Sequence, residues 1–170
     1  MGVLGNYQLS PDRFRERGYS GYIEWKPLDR AAVGLTSLVT HAAEDLRLHT
    51  ANTRQVHGLF ARFAPVKQVA FLAEGDLVLA APSGLPSQTG TASMLQADVE
   101  LVQGLHFIAT GETWTPGGVG RKGSFGGWAG VQWFFAPHTD LRFDYLHRSM
   151  GIGPMTLDVA AYVIQLHLYL

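Results

Sequence analysis

Apolar and polar residues alternate along most of this chain with a period of two. That phase predicts strands, because successive strand side chains point to opposite faces. In 92–102, Leu95, Ala97, Val99 and Leu101 alternate with Gln96, Asp98 and Glu100. In 140–147, Leu141, Phe143 and Tyr145 alternate with Arg142 and Asp144. Between 126 and 135 one parity carries Ala129, Val131, Trp133 and Phe135, the other Trp128, Gly130, Gln132 and Phe134. Val69, Phe71 and Ala73 fall in one phase while Glu74 and Asp76 fall in the other.

A weak repeat overlies this alternation. Trp25-Lys26-Pro27, Phe63-Ala64-Pro65 and Phe135-Ala136-Pro137 each place an aromatic residue two positions before a proline, with apolar residues four and six positions after it. A fourth copy around Gln103 keeps the phase without the proline. The spacing of these anchors suits two tilted membrane strands of ~9–11 residues with one short turn and one longer loop. Proline cannot donate to a ladder, so each anchor is expected in the turn itself. Longer polar or Gly-rich segments at 10–17, 44–54, 81–91, 115–124 and 149–156 separate the hairpins. The resulting map has ten strands, near 2–9, 18–26, 30–42, 55–64, 67–80, 92–102, 104–114, 125–136, 140–148 and 157–170. One segment admits a second drawing: 33–48 makes an amphipathic helix through Leu35, Leu38, Val39, Ala42 and Leu46, against which Gly34, Thr36, Thr40 and two β-branched valines weigh.

Only 16% of the residues are charged, against roughly 25% in an average soluble domain. No stretch approaches the ~20 apolar residues of a spanning helix. Together these predict one all-β domain over 1–170, an antiparallel up-and-down transmembrane β-barrel of about ten strands, with one face in lipid and the other around a polar interior. Carboxylates in mid-strand are costly against lipid and tolerable inside. The expected lumen-facing set is Glu24, Arg62, Glu74, Asp76, Asp98, Glu100, Glu112, Arg142 and Asp144. In a ten-stranded barrel these groups are expected to pair into a plug-like network, with Arg62 and Arg142 as counter-ions; in a wider one they line an aqueous path whose acidic excess mildly favours cations. Trp25, Phe63, Phe71, Phe107, Trp133, Phe135 and Phe143 are the expected lipid-facing or interfacial aromatics.

The net charge of −1 offers no basic face for nucleic acid. The absence of cysteine excludes disulfides, thiolate metal sites and a thiol nucleophile. The seven histidines show no metal-ligand spacing, so neither a metal nor a cofactor is predicted. Gly117-Gly118-Val119-Gly120 followed by Arg121-Lys122-Gly123 lacks the order of a phosphate loop and is expected to be a basic outer loop.

The last strand places Ile164, Leu166, Leu168 and Leu170 in alternation with Gln165, His167 and Tyr169. It resembles the C-terminal strand of Gram-negative outer-membrane β-barrels of the porin-like kind, with Leu170 where a terminal Phe is commoner. The resemblance implies residence in the bacterial outer membrane. It further implies outer-membrane lipid and the barrel assembly machinery as partners, and those four residues as the assembly signal. An even strand count puts both ends on the periplasmic side. The opening residues lack the basic segment and apolar core of a signal peptide. The chain is therefore expected to be a mature barrel or the C-terminal strands of a larger one, completed by further strands or protein subunits. Two alternatives stay open. His147-Arg148-Ser149 resembles the His-x-Ser pair of small outer-membrane lipid A deacylases, with Asp158 as orienting acid, although Met150 stands where those enzymes carry Asn. A soluble lipocalin-like barrel would reverse the faces, with Trp133 and Phe135 inside and Glu74, Asp98, Glu100 and Asp144 in water.

Overall fold

The computed structural model describes residues 2–5, 16–45, 48–118, 121–152 and 155–169. They form one antiparallel sheet in which every strand pairs with its neighbours in sequence. The strands are β1 (Gly2–Gly5), β2 (Glu16–Leu28), β3 (Ala31–Ala42), β4 (Asn52–Val66), β5 (Val69–Pro82), β6 (Gln88–Val102), β7 (Leu105–Thr115), β8 (Ser124–Ala136), β9 (Thr139–Ile152) and β10 (Met155–Leu168). This is the up-and-down order expected from the alternation. Each of β2–β10 has at least 11 residues. Residues 33–42 belong to β3, so the helical drawing of that segment is wrong: its Gly, Thr and Val content suits a pleated surface better than a helix interior.

Two-residue turns close four hairpins, at Asp29-Arg30, Lys67-Gln68, Gln103-Gly104 and Pro137-His138. Gly104 and His138 take positive φ, 78° and 59°, a conformation that costs glycine nothing and is uncommon for other residues. The second residue of each turn does the same job. The carbonyls of Arg30, Gln68, Gly104 and His138 accept hydrogen bonds of 2.7–2.9 Å from the amides of Ala64, Glu100, Phe134 and Tyr169, each on the next descending segment. The sequence repeat thus marks a repeated joint between hairpins. Its prolines do not all lie where expected. Pro27 and Pro65 are inside β2 and β4, where the ladder shifts register between Trp25 and Leu28 and between Phe63 and Val66. A register shift leaves a position with no ladder bond to lose, which is what proline requires.

The described sheet is open. No pairing joins β10 to β1 or β2 among the described residues, and β1 covers β2 only from Glu16 to Tyr19. Expected strand residues 6–9, and Leu170, lie outside the described residues. Hollows on one face are lined by β2 through β5 and by β5 through β9, so the sheet curls towards that face.

Candidate functional site

Register fixes which residues share a face. Glu24 is opposite Gly34, Gly34 opposite Phe60, and Phe60 opposite Glu74. The same parity runs through Met94, Glu112, Gly126 and Arg148. By this count all nine residues Glu24, Arg62, Glu74, Asp76, Asp98, Glu100, Glu112, Arg142 and Asp144 stand on the concave, polar face. Trp25, Phe63, Phe71, Phe107, Trp133, Phe135 and Phe143 stand on the other, together with Ile164, Leu166 and Leu168.

Most polar-face charges are matched locally. Arg62 bonds Glu24, which also receives Lys26 at 3.3 Å. Asp98 meets His106 Nδ1 at 2.9 Å, Arg142 Nε meets Asp144 Oδ2 at 2.8 Å, and Arg148 bonds Glu112. Near the loops, Arg54 lies between Asp45 and Glu16. Arg142 also sits over the Trp128 ring, 4.8 Å from its centroid. Arg62 and Arg142 thus serve as the expected counter-ions. Glycine makes room for this layer: a Cβ at Gly130 would collide with Asp144 and with the Phe143 carbonyl.

Glu74 and Asp76 differ from the rest. Like Glu100, which accepts the Gly104 amide at 3.1 Å, neither makes an ion pair among the described residues, but these two line a hollow of about 410 Å³ shared with Glu112 and Arg148. Among the described residues no three His, Asp or Glu side chains come together as a metal-ligand set.

One polar centre escaped the sequence reading. Asp140, with no exposed surface, accepts hydrogen bonds from His167 Nδ1 at 3.0 Å and from the Tyr169 hydroxyl. Tyr169 lies just beyond β10, and donation to this carboxylate raises the pKa of its phenol above the ordinary value. Parity counted from Arg142 and Asp144 would have placed Asp140 with the polar set. The expected strand begins at this residue, so its alternation has no preceding position to mark Asp140 as part of a site.

The apolar face is zoned along the strands. Upward from the first outward residue beyond the register shift, β4 presents Phe63, Ala61 and Leu59, then His57, Gln55 and Thr53. β6 presents Val99, Ala97 and Leu95, then Ser93, Thr91 and Thr89. β9 presents Leu141, Phe143 and Tyr145, then His147 and Ser149. On these three strands the change from apolar to polar falls at His57, Ser93 and His147, whereas β5 stays apolar outward through Leu77 and Leu79, opposite His57 and Gln55.

His147, Ser149 and Asp158 share this face, and Asp158 is directly opposite Ser149. Ser149 is only 7% exposed, and no hydrogen bond links the three among the described residues. A hydroxyl–imidazole pair occurs elsewhere on the face. Ser37 Oγ and His57 Nδ1 are 3.1 Å apart, and His57 Nε2 is 3.2 Å from Gln55 Oε1.

Comparison with known proteins finds no matching family model, no matching curated relative and no matching solved structure.

Proposed function

We propose that this chain forms the wall of an outer-membrane β-barrel, porin-like in kind, with its polar face around an enclosed interior and its apolar face in lipid. One contrast carries the reading. Trp133 is 50% and Phe143 44% exposed, whereas Asp144 is 6% exposed and Asp140 has no exposed surface. Water-soluble domains bury large apolar side chains and expose carboxylates, and contiguous exposed apolar surface marks a site of contact. A lipocalin-like barrel needs the opposite arrangement. Strands of 11–15 residues reach or exceed the ~9–11 that cross a bilayer when tilted.

The open edges belong to the same reading. Each unsatisfied backbone group in hydrocarbon costs several kcal/mol, so a sheet of this kind in lipid is closed by further strands or by other subunits. Inside, the unpaired carboxylates of Glu74 and Asp76 favour cations over anions.

Extraction and sizing test the proposal. The protein is expected in the membrane fraction and to stay dispersed only in detergent or lipid. A soluble monomer in detergent-free buffer overturns it.

A further inference from the structure

We propose that Ser37, His57 and Gln55 form a nucleophilic site for acyl esters on the apolar face, at the level where the outward residues of β4 turn from apolar to polar. The three residues lie on β3 and β4, and register alone brings them together, because Ser37 pairs directly with His57. Gln55 Oε1 accepts from His57 Nε2, which puts the ring hydrogen on Nε2 and leaves the Nδ1 lone pair for the Ser37 hydroxyl at 3.1 Å. Nucleophile, base and orienting group are then joined in one chain of hydrogen bonds, the arrangement that activates a hydroxyl.

The surroundings name the substrate class. Ser37 borders an open hollow of about 350 Å³ whose walls include Tyr19, Ile23 and Leu35. The hollow is open because Gly21, opposite Ser37, has nothing within 4 Å of where a side chain would stand. An acyl chain fits against those side chains with its carbonyl at the Ser37 hydroxyl. The assignment rests on the membrane reading in one respect: in a bilayer, this apolar-to-polar step is the depth at which lipid ester groups lie.

In the reaction, Ser37 Oγ adds to the acyl carbonyl carbon as its proton passes to His57 Nδ1. The bond from that carbon to the alcohol oxygen breaks, and the departing alkoxide takes the proton. Water then adds to the acyl-serine carbon, again giving a proton to His57, which returns it to Ser37 Oγ as the free acid leaves. Gln55 orients the ring but brings no charge to stabilise the imidazolium. In serine proteases, exchanging the orienting carboxylate for an amide costs about 10⁴-fold. The expected turnover is therefore slow, and covalent capture is the suitable readout.

The test uses the folded full chain in detergent and an alkyl fluorophosphonate probe, with the modified residue located by peptide mass spectrometry. Ser37 is expected to be the labelled residue. His57→Gln should slow labelling about 100-fold or more, the usual contribution of a general base, and Gln55→Glu should accelerate it. Ser93→Ala, which removes an outward hydroxyl bonded only to Thr113, should label like the wild type. An unlabelled Ser37 in protein shown to be folded by circular dichroism overturns the proposal, as does a rate indifferent to His57→Gln. Labelling of Ser37 in protein that is soluble without detergent would retain this site and remove the membrane reading. A detergent-dependent protein that never labels would do the reverse.

Discussion

The Tyr169 hydroxyl donates to the Asp140 carboxylate, tying the residue just after β10 to the start of β9. With His167 also bonded to Asp140, the end of the last strand is held by two donors on one acceptor. Removing the acceptor leaves both without it, and an orphaned hydrogen-bonding group costs about 1–3 kcal/mol where water cannot replace the partner. Asp140→Ala should lower the unfolding free energy measured in urea by that order, and the midpoint with it, whereas Ser93→Ala should leave both nearly unchanged. An unaltered midpoint in Asp140→Ala would show that the network does not fasten the strand.

The same bond makes a pH prediction. Tyr169 titrates above its ordinary value of 10.0 because its hydroxyl is bonded to Asp140. A pKa raised on folding means that the stabilisation is complete below the unfolded value and disappears as pH rises through the folded one. Wild type should therefore exceed Tyr169→Phe in stability at neutral pH, and the gap should close in strong alkali. Denaturant melts at two pH values decide this, and a constant gap would refute the assignment.

Leu95 stands at the third outward position of β6 and is 60% exposed. In lipid, arginine there should cost about 2–4 kcal/mol if the position is near the midplane. In water, the same change on an exposed position should cost within ~0.5 kcal/mol. Folding yield of Leu95→Arg into vesicles, beside its behaviour in detergent-free buffer, separates the two environments.

Gly130 lies under Asp144, whose Oδ1 is buried without a partner among the described residues. An added methyl there must displace Asp144 or the backbone at Phe143. Gly130→Ala should destabilise by about 1–3 kcal/mol, although alanine is otherwise the better strand residue. Chemical denaturation would reveal a neutral effect if the site has room.

If the polar face lines a conducting path, replacing Glu74 and Asp76 by Gln and Asn should shift the reversal potential in a salt gradient towards lower cation preference. Arg62→Gln, which frees Glu24 from its arginine, should shift it the other way. Planar-bilayer recordings measure both signs.

Much of this fold could be read from the chain because its dominant signal is local. Phe143 and Asp144 belong to opposite faces by adjacency alone, and no long-range information was needed to separate Trp133 from Arg142. The strand ends were less legible. Pro65 suggested a turn two residues early, since the shift in register that accommodates it depends on how β4 meets β5. Ser37 and His57 lie 20 residues apart and meet only because of the loop length between β3 and β4, so no motif announces them. The open edge along β2 was equally invisible, because pairing partners are properties of the sheet and not of any one segment.

The carbonyls of Arg30, Gln68, Gly104 and His138 each catch the descending segment that follows. Every hairpin therefore carries its own fastener for its successor and asks nothing of strands farther away. An architecture joined this way can gain or lose a whole hairpin by duplication or deletion while each remaining junction keeps its geometry. The width of the sheet then becomes a quantity that evolution can adjust in steps.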